Sequence, residues 1–441
     1  MGDLPTPNES PRAAAVRLLA EWLRSGAFPG RALETVERGR PFVTEVSLGV
    51  VRRYGSLRWL LRRCAPREPE PVVAAAIFAG WYEVLFMDNS APYAAVHETV
   101  EAARQIGAER ATGFINALLR RATAERDEWR RALERQPPPV RLSHPALLFE
   151  RWVRQFGQRE AIALCQWNNE RSEVVLRPRP ERVALADYLA RLRSAGIAAH
   201  PHPFDPARFL TLPRGVAPAD LPGYADGDFY VQDPATAAAV DLLAPRPGER
   251  VLDACAAPGG KTLLIAEQLA GRGQLVATDR YEDRLERLRE NLARSGHPEV
   301  IVRRADAGDP NAPWEGAADD AEFDAVLLDA PCTNTGVLRR RPDARWAFSP
   351  ARLAQLRRQQ ERLLDAIARR VRAGGRLVYS TCSLESEEDE DLIVSWTARH
   401  PGWTASRARK LFPPATRTDG AYIVLLRRSE SAPPTEPPRD A

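Results

Sequence analysis

Apolar positions divide the chain into a first part with helical spacing and a last part in which strands alternate with helices. Apolar residues recur every three or four positions in four early segments, which are 11–63, 72–86, 92–106 and 110–122. This period predicts an all-α bundle. The segment QPPPV at 136–140 ends the pattern and is typical of a linker. A helix at 143–169, a strand, a helix at 185–195 and short strands near 198–212 then predict a small α/β subdomain.

The last part contains short apolar strands separated by helical stretches. Its predicted strands are RVLDACA, QLVATD, EVIVRRAD, DAVLLDAP, GRLVYSTC and YIVLLRR, and the strand-like FYVQDPAT precedes them. The alternation predicts a doubly wound, mostly parallel α/β sheet, whose ligands bind at the carboxyl ends of its strands. The polar, proline-rich tail is predicted to be disordered. The expected domains are 1–135, 136–222 and 223–428, followed by the tail at 429–441.

The stretch RVLDACAAPGGKT, at 250–262, joins a buried strand to a helix through a glycine-bearing turn. A phosphate-binding P-loop would need glycine at position 255, where this chain has Cys255, so that motif is excluded. The turn does not match G-x-G-x-x-G either. A second strand ends at Asp279, which is placed to hold ribose hydroxyls. An adenosine-type cofactor fits these features best, against the alternative of a glycine-rich turn without a ligand.

Composition and charge narrow the class of protein. Lysine occurs only at 261 and 410 among 63 basic residues, so a lysine inside the glycine turn indicates a specific role. The net charge of +4 and the many arginines permit nucleic-acid binding without requiring it. We expect no membrane partner and a cytoplasmic protein, because the chain has no long apolar run and no secretory signal. Five widely spaced cysteines fit neither a disulfide scaffold nor a metal site.

The strand ends carry acidic and thiol side chains, and two of the thiols follow neighbouring strands in DAPC and STC. These candidates are Asp253, Cys255, Asp279, Asp306, Asp329, Cys332 and Cys382. Two thiols and a carboxylate beside an adenosine cofactor favour methyl transfer to an unreactive carbon. A thiolate that adds to C6 of a pyrimidine makes C5 nucleophilic, and a second group must then help to release the product. On residue chemistry alone, either Cys332 or Cys382 could attack.

The motifs resemble those of a known family. CAAPGGKT, DAPC followed by TNTGVLRRRPDARW, and STCS followed by acidic residues are similar to the signatures of the Nop/Sun family of RNA cytosine-5 methyltransferases. The first half resembles a NusB-like RNA-binding domain in FVTEVSLGVVRRYGSLRWLL, AAVHETVEAARQIG and GFINALLRR. The resemblance implies a NusB-like bundle, a small α/β subdomain and a Rossmann-like class I methyltransferase. It also implies that the substrate is RNA, and the expected RNA is 16S ribosomal RNA.

By position, the resemblance assigns roles to residues of this chain. It implies that Cys382 is the nucleophile, that Cys332 assists product release, and that Asp329 contacts the target base. The S-adenosylmethionine site that it implies comprises Cys255, Ala256, Ala257, Pro258, Gly259, Gly260, Lys261, Asp279, Arg284, Asp306 and Asp329. His97-Glu98 and Thr333-Asn334-Thr335 depart from the usual family pattern, and the first of these puts the target nucleotide in doubt.

The sequence is also compatible with two other functions, and it leads to expectations about the oligomeric state and the RNA contacts. The rivals are a transfer-RNA cytosine-5 methyltransferase and a non-catalytic RNA-binding or assembly factor. The presence of both thiols, Lys261 and the strand-end aspartates argues against the second rival. We expect a monomer. We also predict that the arginines after DAPC contact RNA phosphates, with a solvated basic loop as the alternative; these are Arg339, Arg340, Arg341 and Arg345.

Overall fold

The structure is a computed structural model that describes residues 9–26, 30–87, 91–309 and 322–430. The chain divides into two compact units. The first unit reaches residue 170 and also includes 338–348, whereas the second comprises 171–337 and the chain from 349 onward. The first unit therefore extends beyond residue 135, where we placed the end of the bundle. Most of the predicted tail, from residue 431 onward, lies outside the described residues.

The first unit is helical. Its helices are α1 (Pro11–Ser25), α2 (Gly30–Glu34), α3 (Arg40–Cys64), α4 (Pro71–Phe86), α5 (Pro92–Gln105), α6 (Thr112–Ala124), α7 (Arg126–Glu134), α8 (Pro138–Arg141), α9 (Ala146–Phe156) and α10 (Gln158–Asn169). Helix α4 is almost entirely apolar and packs against α1, α3, α5 and α6, and its one charged residue, Glu83, pairs with Arg12 of α1 at 2.7 Å. The Ser10 hydroxyl caps α1 by accepting from the Ala13 backbone N–H at 3.3 Å. The proline-rich segment predicted as a linker forms the short helix α8.

Two of the four arginines predicted to contact RNA are buried inside the first unit. Arg345 is fully buried, and its guanidinium donates to the carbonyls of Arg52, Ser143 and Asn168 and to Asn169 Oδ1 at 2.9–3.3 Å. Arg339 is 6% exposed, and its guanidinium lies 4.1 Å from the ring centroid of Trp167. The predicted phosphate contacts of these two residues are therefore wrong, because each side chain is buried and contacts other residues of the protein. Those of Arg340 and Arg341 stay predictions.

Replacing Arg345 with alanine should destabilise the first unit by about 3–5 kcal/mol, because it leaves several buried carbonyl oxygens without a donor. Urea denaturation of the full chain, followed by tryptophan fluorescence, measures this loss. Arg341→Ala is the matched control, since Arg341 is exposed and pairs with Asp343 at 3.1 Å. That change should stay within about 0.5 kcal/mol of the unsubstituted protein. Equal urea midpoints for the two variants would contradict a stabilising role for Arg345.

The second unit contains all the described strands, which form two sheets, and all the later helices except the one at Ala344–Ala347. Its strands are β1 (Val175–Pro178), β2 (His200–Pro201), β3 (Leu210–Thr211), β4 (Phe229–Val231), β5 (Arg250–Ala254), β6 (Gln274–Asp279), β7 (Ile301–Arg304), β8 (Phe323–Asp329), β9 (Val371–Thr381), β10 (Trp403–Leu411) and β11 (Ala421–Arg428). The later helices are α11 (Leu185–Ser194), α12 (Pro234–Leu243), α13 (Gly260–Leu269), α14 (Glu282–Ser295), α15 (Ala344–Ala347, within the first unit), α16 (Pro350–Ala368), α17 (Glu390–Arg399) and α18 (Pro413–Thr416). No described helix is both long and apolar enough to cross a membrane.

The smaller sheet has the order β2-β3-β1-β4 and is antiparallel throughout. Strand β4 pairs with β1, with Leu176 opposite Val231. We predicted that the strand in FYVQDPAT is the first strand of the last domain. It is instead an edge strand of the small sheet. Its neighbour along the chain, α12, packs against β8, β9 and β11 of the larger sheet. The chain passes from one sheet to the other between Val231 and Pro234.

The larger sheet has the order β10-β11-β9-β8-β5-β6-β7. Strands β9, β8, β5, β6 and β7 are parallel, whereas β11 is antiparallel to both β9 and β10. The predicted mostly parallel sheet is confirmed. Neighbouring residues of β5 enter opposite cores, with Val251 on one face and Leu252 on the other, as expected for a sheet covered on both sides. Strand β10 was missed because only its end residues, Trp403 and Leu411, are buried.

Candidate functional site

A cavity of about 320 Å³ lies at the carboxyl ends of β5, β6 and β8. This is the position at which ligands bind in open parallel sheets. Six of the predicted cofactor residues line it together with both predicted catalytic thiols: Cys255, Ala257, Asp279, Arg284, Asp306, Asp329, Cys332 and Cys382. Residues that the sequence reasoning did not select also line it, including Arg280, Tyr281, Asn334 and Gln359.

The turn after β5 forms one wall of this cavity. Two residues adopt left-handed backbone conformations there, Cys255 with φ 64° and Gly259 with φ 106°. The φ of Gly259 is one that residues with a side chain rarely adopt, and a Cβ there would also displace Leu288 Cδ1 at 2.5 Å, so glycine is strongly favoured at that point. Five predicted residues do not line this cavity. One is Lys261, which lines a smaller cavity, and the other four are Ala256, Pro258, Gly259 and Gly260. These four shape the turn that brings Cys255 and Ala257 to the larger cavity.

Side chains from outside the motif hold the turn in place. The Gln232 amide donates to the Gly260 carbonyl at 2.8 Å, and the Asn291 amide donates to the Pro258 carbonyl at 2.9 Å. Arg177 of β1 in turn donates to Gln232 Oε1 at 2.7 Å. The small sheet therefore supports the glycine turn directly. Gln232 lies in the FYVQDPAT segment of the sequence analysis, but the sequence gave no signal for its contact with Gly260.

Asp279 is the most deeply placed acidic group of the cavity. It is 2% exposed, and its Oδ1 accepts the backbone N–H of Tyr281 at 3.1 Å. Among the described residues, its Oδ2 accepts no hydrogen bond, although Arg284 Nη1 lies 3.2 Å away as an ion-pair partner. Arg284 also donates to the Ala257 carbonyl at 3.0 Å. A buried carboxylate oxygen with open acceptor capacity suits a ligand that carries hydroxyl groups.

Asp306 lies at a more exposed edge of the same cavity. Its side chain is 45% exposed and lies 3.5 Å from Arg280 Nε, while its Oδ1 accepts the Gly308 backbone N–H at 3.0 Å. Arg280 and Tyr281 line this edge as well. Asp279 thus lies at the buried end of the cavity, and Asp306 lies at its exposed edge.

Lys261 and Asp329 form an ion pair beside the cavity. Lys261 Nζ lies 2.6 Å from Asp329 Oδ2, and the Ser380 hydroxyl donates to Asp329 Oδ1 at 2.7 Å. Burial acts to lower the pKa of Lys261, but the charge and hydrogen bond of Asp329 outweigh it and leave the pKa raised. Lys261 therefore stays charged at neutral pH. It lines a second, smaller cavity of about 70 Å³, which also contains Asp329 and Cys382.

The two thiols after β8 and β9 lie together. Cys332 Sγ and Cys382 Sγ are 3.3 Å apart, although 50 residues separate them in the chain. The hydrogen bond with Cys382, together with burial, raises the pKa of Cys332 well above its ordinary value. Cys382 lines both cavities, whereas Cys332 lines only the larger one. The protonated thiol of Cys332 therefore lies next to the sulfur of Cys382, which also lines the smaller cavity.

Glu388 connects the two thiol-bearing turns, and the sequence reasoning missed it. It is fully buried and accepts from the Thr333 backbone N–H at 3.0 Å, from the Thr333 and Ser383 hydroxyls, and from Gln360 Nε2. Burial raises its pKa despite these hydrogen bonds. Thr333 follows Cys332 and Ser383 follows Cys382, so one carboxylate fixes the spacing of both thiols. The acidic residues after STCS were the available signal in the sequence. They did not indicate which of these carboxylates is buried beside the thiols.

One further acidic cluster is already neutralised by arginine. Glu181, Glu267 and His297 offer ligand atoms within 4.8 Å of one another. Arg179 lies among all three, 3.0 Å from Glu267, 2.6 Å from Glu181 and 2.8 Å from His297 Nε2. A guanidinium therefore occupies the position that a cation would need.

Comparison with known proteins gives consistent results over most of the chain. The family described as 16S rRNA methyltransferase RsmB/F matches residues 240–427, the NusB family matches 9–124, and the Methyltr_RsmF/B-like ferredoxin-like domain matches 144–216. Ribosomal RNA small subunit methyltransferase B of Citrobacter koseri is 34% identical over 413 residues, which are 91% of this chain and 94% of that protein. The Pseudomonas putida protein of the same name is 35% identical, over 89% of this chain and 90% of its own length.

Solved structures share the fold. The crystal structure of PH0851 has a TM-score of 0.78 at 23% identity and covers 96% of this chain and all of its own. The structure of NSun6 from Pyrococcus horikoshii with SFG has a TM-score of 0.58 at 22% identity, over 64% of this chain and 98% of its own. The predicted fold class is confirmed: a NusB-like helical part, a small α/β subdomain and a Rossmann-like methyltransferase part.

Proposed function

The chain belongs to the RsmB/F family of 16S rRNA methyltransferases, and from this premise we propose that it methylates C5 of a cytosine in 16S ribosomal RNA. The methyl donor in this proposal is S-adenosylmethionine, and the reaction passes through a covalent bond between Cys382 and C6 of the base. The observation that carries the proposal is the position of Cys382. Its thiol lines both cavities, beside the Lys261–Asp329 pair and 3.3 Å from Cys332.

The larger cavity suits S-adenosylmethionine. Asp279 Oδ2 is buried, has open acceptor capacity and can take a ribose hydroxyl. The turn from Cys255 to Ala257 brings backbone to the same cavity, while Arg284 steadies both the turn and Asp279. Asp306 at the outer edge is available to an adenine amino group. When bound, S-adenosylmethionine supplies an electrophilic methyl group on a positively charged sulfur.

The smaller cavity suits the target base. Asp329, one of its lining residues, can accept a hydrogen bond from the exocyclic amine of cytosine, and Lys261 holds that carboxylate in place at 2.6 Å. A base in this cavity has Cys382 beside it for attack on C6. Once Cys382 has lost its proton to solvent, addition of its thiolate to C6 would move an electron pair toward C5. C5 would then take the methyl group as the bond between that methyl and the donor sulfur breaks, which leaves the donor as a neutral thioether. A cytosine must leave its stack to enter such a cavity, so a single-stranded or flipped nucleotide is required.

Release of the product requires two further bond changes. The C5–H bond breaks and gives its proton to a solvent water, and its electron pair forms the C5–C6 double bond as the C6–S bond breaks. The sulfur of Cys382 leaves as a thiolate. Cys332, whose raised pKa keeps it protonated at neutral pH, lies 3.3 Å from that sulfur and can donate a hydrogen bond to it as it leaves. These roles favour Cys382 as the nucleophile and Cys332 as the group that assists release.

Methyl transfer from labelled S-adenosylmethionine to RNA tests this function. The substrate is total RNA from cells that lack the gene, separated into 16S ribosomal, other ribosomal and transfer RNA after the reaction. We expect label in 16S RNA, and nucleoside mass analysis should identify it as 5-methylcytidine. Label in transfer RNA alone would favour the rival substrate. Label on an exocyclic amine would contradict the covalent mechanism, and no transfer to any RNA would contradict the enzymatic proposal.

Asp279→Asn should weaken S-adenosylmethionine binding about 10- to 100-fold, because the amide loses the charge-assisted bond to a ribose hydroxyl. The substitution keeps an oxygen for the Tyr281 backbone N–H, so the turn should persist. Isothermal titration calorimetry without RNA measures the affinity independently of turnover. Asp283→Asn, an exposed change in the first turn of α14, is the control and should change affinity less than twofold. An Asp279→Asn affinity equal to that of the control would remove Asp279 from the site.

A further inference from the structure

Asn334 is in direct contact with the candidate nucleophile. It lies two residues after Cys332, lines the larger cavity, and has a left-handed backbone with φ 61°. Its Oδ1 accepts from Cys382 Sγ at 3.1 Å, and its Nδ2 donates to the Cys332 carbonyl at 3.2 Å. The side-chain amide thus bonds the sulfur of one cysteine and the backbone of the other.

The orientation of this amide is fixed by its neighbours. A backbone carbonyl only accepts hydrogen bonds, so the side-chain nitrogen must face Cys332 and the oxygen must face Cys382. An amide oxygen also only accepts, so Cys382 must donate its thiol hydrogen to it. Cys382 Sγ is then left to accept from the Cys332 thiol at 3.3 Å. The result is a closed ring of hydrogen bonds through Cys332, Cys382 and Asn334.

We propose that Asn334 is a positioning residue that holds the Cys382 thiol in its protonated form and in a single orientation at the junction of the two cavities. The bond from the thiol to Oδ1 exists only while the sulfur carries its hydrogen, so Asn334 favours thiol over thiolate. Deprotonation of Cys382 breaks this bond, whereas the bond from the Cys332 thiol persists and stabilises the thiolate. The neutral amide therefore delays activation of the nucleophile, while Cys332 supports it once it has formed.

Other titratable and charged side chains line the two cavities together with Cys382. The test must leave these side chains unchanged. The smaller cavity contributes Lys261, Asp329 and Asp419. The larger cavity contributes the titratable residues Cys255, Asp279, Arg280, Tyr281, Arg284, Asp306, Asp329 and Cys332. None of these changes when only position 334 is substituted. The significance of Asn334 for catalysis rests on the proposed function of Cys382 as nucleophile, but its contact with the thiol can be tested without turnover.

The test is the rate of Cys382 alkylation by iodoacetamide between pH 6 and pH 10, followed by peptide mass analysis that separates Cys382 from Cys332. Asn334→Gly keeps the left-handed backbone and removes the amide. We expect the pH of half-maximal alkylation to fall by about half a unit to one unit, because the thiol loses an acceptor. Asn334→Asp keeps the shape but adds a negative charge. It should move the same midpoint upward by about one unit.

Gln359→Ala is the matched control, since Gln359 lines the same cavity. Its midpoint should stay within about 0.2 units of the unsubstituted protein. Circular dichroism and thermal melting of each variant establish that the fold persists. Equal midpoints for Asn334→Gly and the control, or shifts of both Asn334 variants in one direction, would overturn the proposal. Alkylation needs neither RNA nor cofactor. The alkylation midpoints therefore test the contact between Asn334 and Cys382 even if the protein does not transfer methyl groups to RNA.

Discussion

Cys382→Ala should reduce methyl transfer to RNA by a factor of at least about 10⁴, which is the usual scale for the loss of a covalent nucleophile. Without the sulfur, nothing adds to C6, and C5 of an intact cytosine ring is too weak a nucleophile to take the methyl group. Binding of S-adenosylmethionine should persist, because Asp279, Arg284 and the turn at Cys255 are unchanged. Initial rates with labelled donor and 16S RNA, together with calorimetry on the same preparation, separate the chemical step from binding.

Cys64→Ala is the control for this prediction. Cys64 ends α3 in the first unit, outside both candidate cavities, so its removal should leave the rate within about twofold. If Cys382→Ala retained more than about a tenth of the activity, the covalent route through Cys382 would be wrong. Loss of adduct formation in Cys332→Ala instead would assign the attack to the other thiol.

Cys332→Ala should accumulate a covalent complex between protein and RNA, because it attacks and methylates but releases product slowly. The sulfur of Cys382 leaves more readily while it accepts a hydrogen bond from the Cys332 thiol 3.3 Å away, and burial together with that bond keeps the thiol protonated. Loss of such assistance should slow turnover by about 10²- to 10⁴-fold. Denaturing electrophoresis of reactions with labelled RNA should show a band of reduced mobility that protease removes.

The double variant Cys332→Ala/Cys382→Ala controls for non-covalent carry-over and should give no such band. The adduct should also require S-adenosylmethionine in stoichiometric amount if methylation precedes the blocked step. A Cys332→Ala protein that turns over normally would show that release needs no second thiol. In that event, the close approach of the two sulfurs would serve structure alone.

The sequence by itself determined the type and order of most elements, because period and turn chemistry are local properties. The alternation of strands and helices from Arg250 to Asp329 predicted parallel strands, and the edge at which their carboxyl ends meet followed from that arrangement. The sequence therefore predicted that Asp279, Asp329, Cys332 and Cys382 lie near one another, and all four line the larger cavity. The strand β10 was missed, since an exposed edge strand has no apolar alternation to reveal it.

Only the tertiary structure decided which polar side chains turn inward and what they contact. Arg345 and Arg341 belong to one basic segment, yet the first is fully buried under backbone carbonyls and the second is exposed. Likewise, Asn334 and Glu388 bind the thiol turns through partners about 50 residues away. The physical reason is that a hydrogen bond depends on distance and direction between groups remote in sequence, whereas local sequence encodes only backbone preference and period.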